Sequence, residues 1–294
     1  MNYETILYQK QRHGVLITLN RPNALNAINE QLWNDLDDAL AQAETDAEIR
    51  AVVITGAAGT FSTGEDIGAD DPETAWPYGI PKGSSLVHEY NRLRDADRKN
   101  ILSRHLYRWQ YPKPIIAAVS GWCFGAASWL ALTCHLTIAA DDAVFGQPQI
   151  RHGGATDFIW VLLAGFKNAL RYSLTGDHVD AREALRIGLV NQVVPKDRLL
   201  EECFTFVERV AHVPPETVKI NLHIATMGLE MMGLRKAWTL NSELAAMAQL
   251  SKREEFNKRL EEAKKQGGIE AFVRERDKPF QPEPFGPRSK GSKQ

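Results

Sequence analysis

Residues 113–157 constrain this chain more than any other stretch. They read KPIIAAVSGWCFGAASWLALTCHLTIAADDAVFGQPQIRHGGATD, with no Lys, Arg, Asp or Glu from Pro114 to Ala140. A run of this kind must be buried, either in a membrane or in a protein core. A membrane-spanning helix needs about 20 continuous apolar residues, and Ser120, Gly121 and Gly125 interrupt the run where such a helix should be unbroken. The pattern instead breaks into a β-branched strand, a Ser120-Gly121 turn and a Gly125-Ala126-Ala127 cluster that opens a helix over 128–134. A second strand follows over 136–140. Strand, glycine turn and helix together aim backbone N–H groups at a developing negative charge, and glycine lets a ligand approach the main chain closely. The spacing predicts a buried strand–helix–strand unit in an α/β core.

The rest of the chain fits around such a core. Its 294 residues carry a net charge of −2, so no basic surface points to nucleic acid and no polybasic tract to a membrane. Cys123, Cys134 and Cys203 lie in apolar surroundings without metal-type spacing and read as buried free thiols. The first residues lack the apolar segment of a signal peptide, so a soluble cytoplasmic protein is the expectation. Residues 3–20 alternate as two short strands. Asn26 is placed to cap a helix that carries Leu32, Leu36, Leu40 and Ala43 on one face. AVVIT (51–55) is a buried strand leading into FSTGEDI, and strand–helix–strand connections imply parallel pairing. Residues 70–85 read as a loop and 86–109 as a charged helix. After Asp157 come a helix over 158–163, a glycine turn, a helix in AREALRIGL and a strand in VNQVV. From Leu199 the pattern is helical, with a solvated helix over 251–266, and the Pro-, Gly- and Lys-rich tail is expected to be disordered.

Several of these segments, in order, resemble the enoyl-CoA hydratase/isomerase (crotonase) superfamily. KPIIAAVSGWCFGAA is similar to that family's KPxIAAVxGxAxGGG. The likeness continues through DDAVFGQPQI and LTGDHVDAREALRIGLVNQVVP, with NRPNALNA and AVVITGAAGTFSTGEDI upstream. GGIEAFVRERDKPF looks like the family's C-terminal EGxxAFxEKRxPxF. The resemblance implies an α/β crotonase (ClpP/crotonase-like) fold, a spiral of ββα units with a C-terminal helical region. Residues 1–198 would form the core with the coenzyme A site and oxyanion hole. Residues 199–280 would serve oligomerisation and close the pocket, and 281–294 would be a disordered tail. It further implies an acyl-CoA thioester substrate, with coenzyme A as part of that substrate. No permanently bound cofactor or metal is implied, and the expected assembly is a homotrimer or hexamer.

By the same resemblance the oxyanion hole is formed by the N–H groups of Glu65 and Ala126, with Gly125 making the turn. Asn23, Ala24 and Leu25 hold the adenosine end of coenzyme A, and Thr63, Gly64, Asp66, Ile67, Trp122, Trp129 and Gln149 border the substrate. The hydratases of the family use two glutamates. At the corresponding positions this chain carries Trp129 and Gln149, neither of which titrates near pH 7. Asp157, eight residues after Gln149, stands at a spacing where dienoyl-CoA isomerases and 4-chlorobenzoyl-CoA dehalogenases carry a working aspartate. The dehalogenases have Trp at the second glutamate position, where this chain has Gln149.

Read from its neighbours alone, Asp157 is equally a helix N-cap. Facing an apolar acyl pocket, its pKa should be raised, while capping N–H groups would lower it. His152, in a Gly-bounded loop, is a second candidate base or a loop residue with no role. The Glu65 carboxylate turns either inward or to solvent, and Glu243 matches positions that close the pocket in some ring-opening members. Trp76, Tyr78, His105, Tyr107 and Trp109 either line the acyl pocket or simply pack. Three readings follow. The first is isomerase- or hydrolase-type (C–C hydrolysis) chemistry using Asp157. The second is hydration with relocated groups, Asp157 and His152. The third is a non-catalytic protein that binds CoA thioesters, with Trp129 filling the water site.

Overall fold

The computed structural model describes residues 3–68, 83–251 and 254–284. Trp76, Tyr78 and the tail from residue 285 lie outside them. The chain enters through an antiparallel pair, β1 (Ile6–Gln11) and β2 (Gly14–Leu19), followed by α1 (Glu30–Thr45) and β3 (Ala51–Gly56). Next come α2 (Leu86–Asp97), a π turn over Arg98–Leu102, and α3 (Ser103–Trp109). The uncharged run then forms β4 (Ile115–Val119), β5 (Trp122–Phe124), α4 (Ala126–Thr133) and β6 (Leu136–Ala140). It continues into β7 (Val144–Gly146), α5 (Phe158–Ser173), β8 (Val179–Asp180), α6 (Ala181–Arg186) and β9 (Gln192–Val194). Helices α7 (Leu199–Ala211), α8 (Pro215–Met231), α9 (Leu234–Gln249) and α10 (Glu254–Asp277) complete the chain.

The main sheet has the order β1-β2-β3-β4-β6-β9, parallel from β2 onward, and a smaller sheet has the order β5-β7-β8. Strands of a parallel sheet are covered on both faces, which is why AVVIT and IIAAV read as continuous apolar runs. Side chains alternate between the faces. Val52, Ile54, Ile115 and Ala117 join the larger core with α1, α4 and α5, while Ala51, Val53, Ile116 and Ala118 pack on Leu199, Cys203 and Val207 of α7. All three cysteines are free and buried. No helix among the described residues is long and apolar enough to cross a membrane.

Some elements differ from the sequence expectation for local reasons. The cap of α1 is Asn29, whose side chain accepts the Leu32 N–H at 2.9 Å. Asn26 instead sits in a left-handed conformation with φ 56°. Its amide donates to the carbonyls of Ala57 (3.0 Å) and Thr60 (2.7 Å), clamping two loops together. The helix after Asp157 extends to Ser173, passing through non-helical dihedrals at Gly165. The expected solvated helix over 251–266 and the following segment merge across Gly267 and Gly268 into α10.

Candidate active site

Two parallel bridges build the turn that carries Glu65. Ile28 pairs with Glu65, so the Ile28 N–H donates to Gly64 O (2.7 Å) and the Asp66 N–H to Ile28 O (3.1 Å). Ser62 pairs with Cys123 in the same manner, through Ser62 N–H to Trp122 O (2.9 Å) and Phe124 N–H to Ser62 O (3.2 Å). In these bridges the flanking residues make the bonds, so the Glu65 N–H is left outside the ladder. Gly64 has φ 93°, and a Cβ there would lie 2.5 Å from Phe124 O and 3.4 Å from Ala126 N. The Gly64-Glu65 and Gly125-Ala126 turns therefore touch. Gly125, at φ 51°, donates to Gly146 O (3.0 Å) and sets Ala126 as the first residue of α4. The first N–H groups of a helix have no intrahelical acceptor. Neither the Ala126 nor the Glu65 N–H joins the turn and bridge hydrogen bonds of this region.

Beside these turns lies a cavity of about 550 Å³, within the size range of small-molecule sites. Its walls come from the start of α1, residues 65–67, α2 and α3, Trp129, Gln149, residues 154–157 and the Trp238 side of α9. Asp66, Ile67, Trp129, Gln149 and Asp157 all line it, as does Glu65, whose inward orientation the sequence left open. Trp129 Nε1 and Gln149 Oε1 are buried without a hydrogen-bond partner among the described residues. Asn23, Ala24 and Leu25 form a surface turn outside the cavity, held to the Glu65 turn by the Thr63 N–H on Leu25 O (3.2 Å). Thr63 and Gly64 lie behind the lining. Trp122 does not reach the cavity. Its ring packs on Phe124 (4.9 Å between centroids) and His178 (5.8 Å).

Asp157 caps α5 and is one end of a buried chain. Its Oδ1 accepts the Ile159 N–H (2.8 Å) and the Trp238 Nε1–H (3.2 Å), and its Oδ2 faces His105 Nε2 at 3.0 Å. Arg108 Nη2 lies 3.1 Å from His105 Nδ1 and its Nε donates to Thr133 Oγ1 (3.0 Å). A guanidinium only donates, so Nδ1 is the acceptor and the imidazole proton sits on Nε2, directed at Asp157. Burial works to raise the Asp157 carboxyl. The electrostatic pull and hydrogen bond of His105, with the Ile159 and Trp238 N–H groups, outweigh it and hold the pKa below the ordinary aspartate value. Of the two opposed effects expected at Asp157, the lowering one prevails, because three donors converge on this one group.

The raised carboxyls lie elsewhere. Burial and the charge of Asp97 push Glu65 up to about 7. Asp97 is itself raised, mainly by burial and further by Asp157, against a hydrogen bond with Ser242. Glu243 turns away to Tyr90 and Arg98, tying α9 to α2 and the π turn. Of the candidate aromatics, His105 lines the cavity. Trp109 stacks edge-on against Trp238 at 5.7 Å and Tyr107 bonds Glu44 (3.1 Å). Among the described residues no group of His, Cys, Asp and Glu is arranged to hold a metal.

His152 is the clearest correction. It is buried in the Pro148–His152 turn outside the cavity, its ring 5.7 Å from Phe272. Desolvation first, and the charge of Arg276 second, lower its pKa to about 3, so it is no base for this pocket. Because the folded pKa lies below the unfolded 6.5, its contribution to stability is intact above pH 6.5 and is lost as the pH falls below it. Urea midpoints are expected to fall less for His152→Gln than for the wild type between about pH 7 and about pH 4.5. Parallel curves would show that His152 is not buried in its neutral form.

A spiral core with two touching backbone turns beside a carboxylate-bearing pocket defines a crotonase-fold protein. The enoyl-CoA hydratase/isomerase family model matches residues 10–283. A probable enoyl-CoA hydratase of Rhizobium meliloti (strain 1021) is 37% identical over 220 residues, spanning 72% of this chain and 77% of its own length. The (E)-benzylidenesuccinyl-CoA hydratase of Thauera aromatica is 31% identical over 239 residues, 77% of this chain and 84% of its own. The crystal structure of an enoyl-CoA hydratase/isomerase from Xanthobacter autotrophicus Py2 superposes with a TM-score of 0.83 at 31% identity, covering 95% of this chain and 99% of that one. The chain belongs to the enoyl-CoA hydratase/isomerase family, whose enzymes act on CoA thioesters.

Proposed function

We propose that this chain enolises an acyl-CoA thioester and moves a proton along its acyl group, an isomerase-type reaction. Hydrolysis of a C–C bond in a β-keto acyl-CoA is the related outcome of the same enolate. The thioester oxygen lies between the N–H groups of Glu65 and Ala126, where two fixed donors stabilise the negative charge by roughly 2.7–4 kcal/mol each. The adenosine end of coenzyme A rests on Asn23, Ala24 and Leu25. The observation that carries this reading is the make-up of the cavity. Its carboxylates are Glu65, Asp97 and Asp157 with Glu30 and Asp66 toward the rim, while the two positions of the hydratase glutamates hold Trp129 and Gln149. Asp157 serves as a fixed anchor for His105 and Trp238 rather than as the base. Self-association to a homotrimer or hexamer belongs to the same reading. It would cover Ile220, Ile224, Met231 and Met232, which α8 and its end leave exposed.

A second reading, hydration, is favoured by the hydratases among the relatives. Mass spectrometry in D₂O separates the two, using the wild type with crotonyl-, 3-enoyl-, dienoyl-, cyclic β-keto and aryl-acyl-CoA. Deuterium uptake or ring opening is expected. Water gained by crotonyl-CoA at a comparable rate would replace isomerisation by hydration. Thioesters bound but unchanged throughout would leave a binding protein.

A further inference from the structure

With Trp129 and Gln149 at the positions of the two glutamates, the proton needs another carrier. Most carboxylates of the cavity are committed. Asp66 is paired with Arg21 at 2.8 Å, Asp157 already accepts from three donors, and Asp97 takes a hydrogen bond from Ser242. Glu30 is exposed at the start of α1. Glu65 differs: among the described residues no donor reaches its carboxylate, and it faces the cavity opposite Asp97 of α2.

The cations around the cavity are paired or exposed. Arg92 pairs with Glu89 (2.8 Å) and Arg104 with Asp37 (2.7 Å). Lys264 of α10 donates to Ile67 O (2.7 Å), Lys99 is exposed on the π turn, and His105 is held between Asp157 and Arg108. A carboxyl in this position keeps its proton more readily than a solvated one.

We propose that the Glu65 carboxyl, on the residue whose N–H addresses the thioester oxygen, is the proton carrier of this site, with Asp97 as its positioning residue. This rests on the enolate reading. The α C–H bond breaks, its electron pair becomes the C=C of the enolate with the charge on the thioester oxygen, and the proton passes to a Glu65 carboxylate oxygen. Return to the same carbon exchanges hydrogen, and return to the γ carbon shifts a double bond. No co-reactant is needed. The Glu65 pKa near 7 leaves both protonation states populated at neutral pH, as a proton carrier requires.

The test compares the full-length wild type, Glu65→Gln and Asp97→Asn. Glu65→Gln keeps the backbone N–H, so calorimetry should find butyryl-CoA binding retained. Deuterium exchange into 3-enoyl-CoA should fall by roughly 100-fold or more. In the wild type, exchange should rise with pH through about 7, and Asp97→Asn should move that limb to lower pH by about one unit. Exchange in Glu65→Gln within a few-fold of the wild type would overturn the proposal and leave the enolate reading standing. Failure of the wild type to exchange any thioester would instead remove that reading. Carboxyl ¹³C NMR of glutamate-labelled protein reads the same group independently of turnover: a Glu65 titration near neutrality is expected, and one at the ordinary glutamate value overturns the inference.

Discussion

Asp157→Asn should lower the thermal midpoint by roughly 3–7 °C, the effect of losing about 2–4 kcal/mol in a chain of this size. Three donors converge on this carboxylate: the Ile159 N–H, the Trp238 Nε1–H and the His105 Nε2–H. An asparagine offers one oxygen and one NH₂ group, so one of its two positions must meet a donor with a donor. His105 cannot adapt by moving its proton to Nδ1, because that nitrogen already accepts from Arg108, which cannot act as an acceptor. The mismatch is therefore passed along the whole chain of side chains. Replacing His105 by Leu in the asparagine background removes the opposed donor, so the double variant should lose less than the sum of the single losses, with a coupling of about 1–3 kcal/mol. Additive losses in differential scanning calorimetry would mean that Asp157 and His105 are not joined.

Gly64→Ala should reduce turnover by roughly 10²–10³-fold, the cost of spoiling one of the two proposed oxyanion donors. The new Cβ would come within 2.5 Å of the Phe124 carbonyl, which the Ser62–Cys123 bridge holds in place. A positive φ adds strain of about 1–3 kcal/mol. The side chain cannot rotate away from a backbone atom, so the Gly64-Glu65 turn itself must move off the Gly125-Ala126 turn. Gly165→Ala is the control. It also has a positive φ, but its Cβ would meet nothing within 4 Å. Comparing kcat/KM for the two variants, with butyryl-CoA affinity alongside, separates strain from displacement of the donor. Full turnover in Gly64→Ala would place the oxyanion site elsewhere.

Local sequence carried the framework of the site because its parts are local. The glycine turns, the buried strands and the Asp157 cap each depend on residues within a few positions, so pattern and spacing revealed them. What surrounds Asp157 does not. Trp238 is 81 positions away and His105 is 52, and only the packing of α3, α5 and α9 brings them together. The sign of the Asp157 pKa depended on those partners and was unreadable without them. Glu65 shows the same limit from the other side. Its N–H follows from the turn, whereas the state of its carboxyl is set first by burial and then by Asp97 of α2. Asn26 misled because an asparagine near a helix start is a common cap, and here its side chain was already committed to Ala57 and Thr60.

Arg151 gives the order in which the pocket is finished. Its guanidinium is fully covered by Asp177, Asp277 and Glu283, with the Phe280 ring 4.4 Å away. It shares one short turn with Gln149 of the cavity wall. On a ribosome Arg151 emerges 132 residues before Glu283, and an uncompensated guanidinium is not stably buried. The nascent chain can pair its sheet early, because β1 to β9 lie upstream. The wall that holds Gln149 must wait for residues 277–283. Ligand competence is thus a late event of synthesis, reached only after the acidic partners of Arg151 have been translated.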